Sequence, residues 1–205
     1  MTHILHLDTS ARGAASHSRR VSKEFVDALL QKHPGATVTY RDLGHEPVPH
    51  VSEAFVQAAS YGVRAGIAPA DPSVLAVSDA LIAELKAAAI YVFGVPMYNF
   101  GVPSVLKAYI DQVVRAGVTF NPQNYQGLLQ GKKMYVVTAR GGGGYGPGES
   151  REAYNQQDGQ ICVAFGLMGV TDIEFVHVEN SHAGDDVRQA SLDKAHTRIE
   201  QLASA

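Results

Sequence analysis

The chain has 205 residues, of which 45% are hydrophobic and 18% charged, and carries a formal net charge of -3. That length lies within the roughly 50–250 residues of one domain, so a single domain over residues 1–205 is expected. The mildly acidic balance excludes the clustered basic face of a nucleic-acid binder. No run of about 18 apolar residues marks a membrane span. Met1–Ser10 lacks the basic start and apolar stretch of a signal peptide. A single cysteine, Cys162, excludes an intrachain disulfide framework and fits a reducing compartment. A cytoplasmic protein without nucleic-acid or membrane partners is the expectation.

His3–Asp8 reads as a first strand, followed by a small-residue loop from Thr9 to Ala15. The spacing of Val21, Phe25, Ala28 and Leu29 predicts a helix over His17–Lys32, stopped by His33-Pro34-Gly35. Ala36–Tyr40 is the second strand, Gly44–His50 a loop, and Val51–Tyr61 a short helix ending near Gly62. Asp71–Ala88 reads as a long helix with Val74, Val77, Leu81, Ile82 and Leu85 buried. The near-continuous apolar run Ala89–Val95 suits a central strand covered on both faces. Pro103–Val114 is a helix, Lys133–Ala139 the fourth strand and Arg151–Met168 a further helix. Asp172–Val178 is the fifth strand and Asp185–Leu202 the closing helix. Five strands alternating with helices predict an α/β doubly wound parallel sheet of order 2-1-3-4-5, with helices on both faces. Ligands of such sheets lie beyond the strand C-termini, where the order reverses.

Three loops should meet there. The first, Thr9-Ser10-Ala11-Arg12-Gly13-Ala14-Ala15-Ser16-His17-Ser18, brings hydroxyls to a helix N-terminus, whose unsatisfied N–H groups suit a phosphate monoester. The same serines could serve only as helix caps. The second, Pro96-Met97-Tyr98-Asn99-Phe100-Gly101-Val102-Pro103-Ser104, is a turn stiffened by two prolines. It can offer main-chain N–H groups and apolar contact to a planar ring, or simply pack beneath a loop. The third, Ala139-Arg140-Gly141-Gly142-Gly143-Gly144-Tyr145-Gly146-Pro147-Gly148, has a glycine density tolerated where backbone approaches a ligand. Gly141, Gly143 and Gly146 match G-x-G-x-x-G in form only, because the match follows the fourth strand and lacks the acidic partner of a dinucleotide site.

The block Pro96–Phe100, continued by Pro103-Ser104-Val105-Leu106-Lys107-Ala108-Tyr109-Ile110-Asp111 and Arg115–Phe120, resembles the FMN-dependent NADH azoreductases and NAD(P)H quinone oxidoreductases. Arg41-Asp42-Leu43 and Gly131-Lys132-Lys133 fit the same family, and the likeness spans essentially the whole chain. The resemblance implies a flavodoxin-like fold and bound FMN, with Ser10, Ser16, His17 and Ser18 around its phosphate. It implies Met97, Tyr98, Asn99 and Phe100 along the isoalloxazine, and Ala139, Arg140, Gly141 and Gly142 over its other edge. It also implies a homodimer in which NADH or NADPH and then a quinone or azo compound exchange two electrons with the flavin in turn, with no catalytic acid or base. His17 stands where glutamine is common and Ala139 where a hydroxyl is frequent, and Asn124-Tyr125-Gln126-Gly127 replaces a Gly-Pro turn.

Rival chemistries find less support. The pairs His3/His6, His45/His50 and His177/His182 form no metal motif. Cys162, inside the apolar stretch Ile161–Leu167, reads as a buried inert thiol. No G-x-S-x-G elbow marks a hydrolase. Arg19 and Arg20 read equally as phosphate ligands or as an exposed helix surface. The alternative function is a flavodoxin-like electron carrier or flavin-binding protein without nicotinamide turnover, and a weaker one is an iron or chromate reductase. Electron carriers of that kind are shorter and more acidic than this chain.

Overall fold

The computed structural model describes residues 1–59 and 71–204. Strands β1 (His3–Asp8), β2 (Thr37–Asp42), β3 (Ile90–Pro96), β4 (Lys133–Ala139) and β5 (Asp172–Val178) form one sheet in the order β2-β1-β3-β4-β5. Every pairing is parallel. Among the described residues the α-helices are α1 (His17–Lys32), α2 (Glu53–Ala58), α3 (Ala76–Ala87), α4 (Ser104–Val113), α5 (Gln156–Leu167) and α6 (Asp185–Ser204). The chain leaves β1 toward β2 on one side and returns to pair β3 on the other. The order therefore reverses between β1 and β3, and the loops leaving these two strands diverge around a crevice.

The period-two alternation of strand side chains divides the core into two layers. Tyr91, Phe93 and Val95 of β3 face α3, α4 and α5, together with Leu81, Leu85, Tyr109, Ile161 and Phe165. Val92 faces α1 and α6, with Val21, Phe25, Leu29 and Ile199. Phe93, fully buried, meets Tyr109 and Phe165 edge-on at ring separations of 6.2 and 5.4 Å. Truncating such a residue to alanine typically costs about 3–5 kcal/mol.

The expected element bounds hold for β1, α1, β4 and β5 and shift by a few residues elsewhere. The helix expected over Val51–Tyr61 is α2, capped by Ser52, and its expected end near Gly62 lies outside the described residues. The long helix expected from Asp71 begins as a 3-10 turn over Pro72–Leu75 and becomes α-helical only at Ala76. Val77 is 41% exposed and not part of the buried stripe. Ser78 takes the inward position, its hydroxyl donating to the Gln112 carbonyl at 2.5 Å. Arg151–Met168 is likewise split, into a 3-10 turn (Glu152–Tyr154) and α5, because the Asn155 side chain caps a new start by accepting from the Asp158 N–H. Cys162 is exposed, contrary to the buried thiol expected. Ile161 and Phe165 hold the inward face of α5, and Cys162 is one step around the helix from it.

Candidate functional site

The first loop arrives at the crevice with its serines buried. Ser10 is 1%, Ser16 5% and Ser18 0% exposed. Ser16 is the N-cap of α1, its Oγ accepting from the Arg19 N–H at a long 3.4 Å, and it lies 3.1 Å from the Ser18 Oγ. The N–H groups of His17 and Ser18 make no hydrogen bond among the described residues, as the first turn of a helix requires. Two hydroxyls and two free N–H groups thus gather at the positive end of a 16-residue helix.

Arg19 is neither a free phosphate ligand nor an exposed surface residue. Its guanidinium donates to the Ser10 carbonyl at 3.0 Å (from Nε) and to both Asp42 carboxylate oxygens. It thereby braces the loop against the exit of β2. The Arg19 hydrogen bond is also the main cause that holds the Asp42 carboxyl well below the usual carboxylate range. Arg20 is exposed, with Nη2 3.4 Å from His17 Nδ1. Gly44 is obligatory beside this brace, because a Cβ there would lie 2.1 Å from the Ser10 carbonyl oxygen.

Behind the loop, Asp8 is 2% exposed and accepts from Ser22 Oγ at 2.9 Å and Tyr40 OH at 3.0 Å. His6 Nε2 lies 3.0 Å from Ser22 Oγ and 3.6 Å from Asp8. Burial pushes the His6 imidazole below its ordinary 6.5, against the weaker opposing pull of Asp8. Burial, then Arg20, Arg188 and Arg12, does the same to His17. Both rings stay neutral in the fold at pH values where the unfolded chain takes up protons. Their stabilisation is therefore complete above about pH 6.5 and is lost as pH falls through the lowered folded-state values. Urea midpoints taken between about pH 7.5 and 5.5 are expected to drop on the acid side, and His6→Gln is expected to flatten that drop. An unchanged slope in His6→Gln would remove His6 from the account.

The turn after β3 is a two-residue hairpin. Tyr98 and Gly101 exchange both N–H···O bonds, at 3.0 and 3.1 Å, across Asn99 (φ 49°) and Phe100 (φ 71°). Positive φ at both central residues is the type I′ requirement, and it is uncommon for phenylalanine. The Met97 N–H is committed to the Ala139 carbonyl at 2.8 Å. Of the four expected ring-contact residues, Asn99 and Phe100 therefore present free N–H groups, whereas Met97 and Tyr98 offer side chains only. Tyr98 and Phe100 are 38% and 47% exposed, large apolar groups at the mouth of the crevice, and Phe100 packs on Tyr154 at 5.2 Å.

In the loop after β4, the Gly141 and Gly142 carbonyls accept from the N–H groups of His182 and Asn180, while their own N–H groups make no hydrogen bond among the described residues. Ala139 is part of β4 and supplies the carbonyl that anchors Met97. Arg140 corrects the sequence expectation. It is 1% exposed, with its guanidinium on Asp158 Oδ1 at 2.6 Å and Glu179 Oε1 at 3.3 Å. Its side chain is spent inside the protein and does not line the crevice. Asp158, Gln157 and Glu179, which hold it, were not singled out from the sequence. The Asn155-x-x-Asp158 cap could have flagged the first of these, whereas nothing local marks Glu179.

The sequence and the fold are similar to those of known proteins. The family model described as having a flavodoxin-like fold matches residues 2–203. The chain is 47% identical over 204 residues to an FMN-dependent NADH:quinone oxidoreductase of Nostoc sp., with 98% of each chain covered. It is 41% identical over 209 residues to FMN-dependent NAD(P)H:quinone oxidoreductase 1 of Pseudomonas aeruginosa, with 99% of each covered. Among solved structures, the azoreductase from Bacillus anthracis str. Sterne superposes with a TM-score of 0.86 at 26% identity, covering 99% of both chains. With a family match from residue 2 to residue 203 and 47% identity over 98% of the chain, the chain belongs to the flavodoxin-like fold family and, within it, to the FMN-dependent NADH:quinone oxidoreductases.

Proposed function

We propose that the chain is a single FMN-binding domain that uses NADH or NADPH to reduce quinones by two electrons and to cleave azo compounds reductively, in a ping-pong sequence. The carrying observation is the convergence, at the C-terminal ends of β1, β3 and β4, of donors matched to the two ends of FMN. The buried Ser16 and Ser18 hydroxyls and the free N–H groups of His17 and Ser18 suit a phosphate monoester. The free N–H groups of Asn99, Phe100, Gly141 and Gly142 suit the carbonyl and nitrogen edge of a planar ring, flanked by Met97, Tyr98 and Phe100. Bound there, FMN would supply the redox chemistry, two-electron exchange between the nicotinamide and the acceptor. The protein's part is to hold the ring, leave one face open and exclude competing groups. No titratable side chain is assigned to proton transfer.

The test is anaerobic stopped-flow reduction of the holoprotein by each nicotinamide, followed by initial rates at several quinone concentrations. Rapid bleaching by NADH or NADPH and parallel double-reciprocal lines are expected. Failure of both nicotinamides to bleach the flavin overturns the enzyme reading, and intersecting lines overturn the ping-pong order.

The same reading takes the protein as a homodimer. A cleft of about 390 Å³ lies between α2, α4 and α5, lined by Val51, Phe55, Ile110, Val114, Val163 and Leu167. Val163 there is 74% and Val56 44% exposed, more apolar surface than a solvated helix face needs. Sedimentation equilibrium should return twice the chain mass of 21.9 kDa. An active monomer would reject the dimer. Among the described residues no helix is long and apolar enough to cross a membrane.

A further inference from the structure

The two loops assigned to the flavin ring are joined from behind by a chain of buried polar groups. Arg140 donates through Nε to Gln157 Oε1 at 3.3 Å, and the fully buried Gln157 donates to the Val95 carbonyl at 3.1 Å. Val95 is the residue before Pro96, where the Met97–Phe100 turn begins. In the other direction Arg140 meets Glu179 Oε1, and Glu179 Oε2 accepts from the Gly144 N–H at 3.2 Å, in the middle of the glycine loop. The first turn of α5 adds two parallel ties. The Gln156 N–H donates to the Phe100 carbonyl at 3.1 Å, and Asn155 Nδ2 donates to the Tyr145 carbonyl at 3.2 Å.

Glycine residues at 141–144 cannot position themselves, because they have no side chains to pack and keep the widest backbone freedom. A buried guanidinium between Asp158 and Glu179, by contrast, has a planar donor fork that fixes both carboxylates in direction. Side chains of this kind are costly to bury and are satisfied here at several points, so the arrangement is rigid once formed.

We propose that Arg140 and Glu179 are positioning residues that set the separation between the Met97–Phe100 turn and the Gly141–Gly146 loop, and so the fit of the isoalloxazine held between them. The proposal rests on the FMN reading above and gives Arg140 a role without flavin contact. Its action is confined to the ring end of the site, since no link of the network reaches Ser10, Ser16 or Ser18.

The informative variant is Glu179→Gln. It keeps the shape of the side chain but replaces one acceptor oxygen by an NH2 group, a donor, so that either Arg140 or the Gly144 N–H loses its acceptor. Apoprotein is titrated with FMN and with riboflavin, and the absorption spectrum of the bound flavin is recorded. Both ligands are expected to weaken by the same factor, about tenfold, with a changed visible band shape in the bound flavin. Glu179→Asp, which retains the charge but shortens the reach, is expected to lie between the parent and Glu179→Gln. It carries the same comparison should Glu179→Gln fail to fold. Unchanged affinities and spectrum in a folded variant overturn the proposal, as does a loss confined to FMN, which would place the effect at the phosphate. A parent protein that binds neither ligand would instead overturn the flavin reading itself.

Discussion

Alanine at both Ser16 and Ser18 is expected to lower FMN affinity by one to two decades or more per hydroxyl while leaving riboflavin affinity nearly unchanged. The two ligands differ only in the phosphate, so their ratio isolates what the serines do. A hydrogen bond to a charged group contributes about 1.5–3 kcal/mol, and each 1.4 kcal/mol is about tenfold in dissociation constant. The structure also separates the two residues. Ser16 caps α1 through the Arg19 N–H, so Ser16→Ala should cost about 0.5–2 kcal/mol of stability besides its effect on FMN. The Ser18 hydroxyl bonds only to that of Ser16 among the described residues, so Ser18→Ala should change FMN binding with little loss of stability. Fluorescence titration of the apoproteins, paired with urea denaturation, measures both quantities. Equal weakening of FMN and riboflavin would move the phosphate away from this helix terminus.

Gly94→Ala should be the most damaging single methyl in the sheet. Gly94 pairs with Asp8 across the β1–β3 ladder, and both face α1. A Cβ at Gly94 would lie 2.1 Å from Asp8 Oδ1, 2.9 Å from Ser22 Oγ and 3.1 Å from the Ser18 carbonyl oxygen. The Gly94 backbone has no positive φ, so alanine by itself would be tolerated or mildly favourable there. The expected cost comes entirely from space. Oδ1 cannot swing aside without abandoning Ser22, and Ser18 and Ser22 belong to the backbone of α1, which the whole second core layer holds in place. Overpacking of about 1–3 kcal/mol adds to a lost charge-assisted hydrogen bond of about 1.5–3 kcal/mol. A destabilisation of roughly 3 kcal/mol or more is therefore expected, together with weaker FMN binding as Ser18 is displaced. Combining Gly94→Ala with Asp8→Ala removes the obstructing oxygen, so the pair should destabilise by clearly less than the sum of the single variants. Additive costs in that cycle would mean that the methyl is resisted by something other than the carboxylate.

What could be read from the sequence follows from how local its causes are. The period-two and period-3.6 placement of apolar residues, with Pro34 and Gly35 as punctuation, specifies β1, α1, β4 and β5 to the residue. Strand alternation with helices then implies a parallel, doubly wound sheet, and the order 2-1-3-4-5 common to five-stranded sheets of this kind implies which loops share the crevice. The start of α1 at Ser16–Ser18 and the tight turn between Pro96 and Pro103 are legible as places where N–H groups are exposed, because helix termini and tight turns expose them wherever they occur. The tertiary structure decided which of these groups remain free. Met97 loses its N–H to Ala139 of the neighbouring strand, and Arg19 is drawn to Asp42 at the end of β2. It also decided burial. Cys162 sits in an apolar stretch yet faces outward, because the phase of α5 is set by where Ile161 and Phe165 meet Phe93 and its neighbours in the core. Arg140, an arginine beside a glycine run, has the local signature of an anion ligand, but Asp158 and Glu179 arrive from 18 and 39 residues further along and take its guanidinium inward. Sequence pattern determines torsion and face, which depend on near neighbours. Whether a polar group is left free for a ligand depends on partners that only the folded chain brings within about 3 Å.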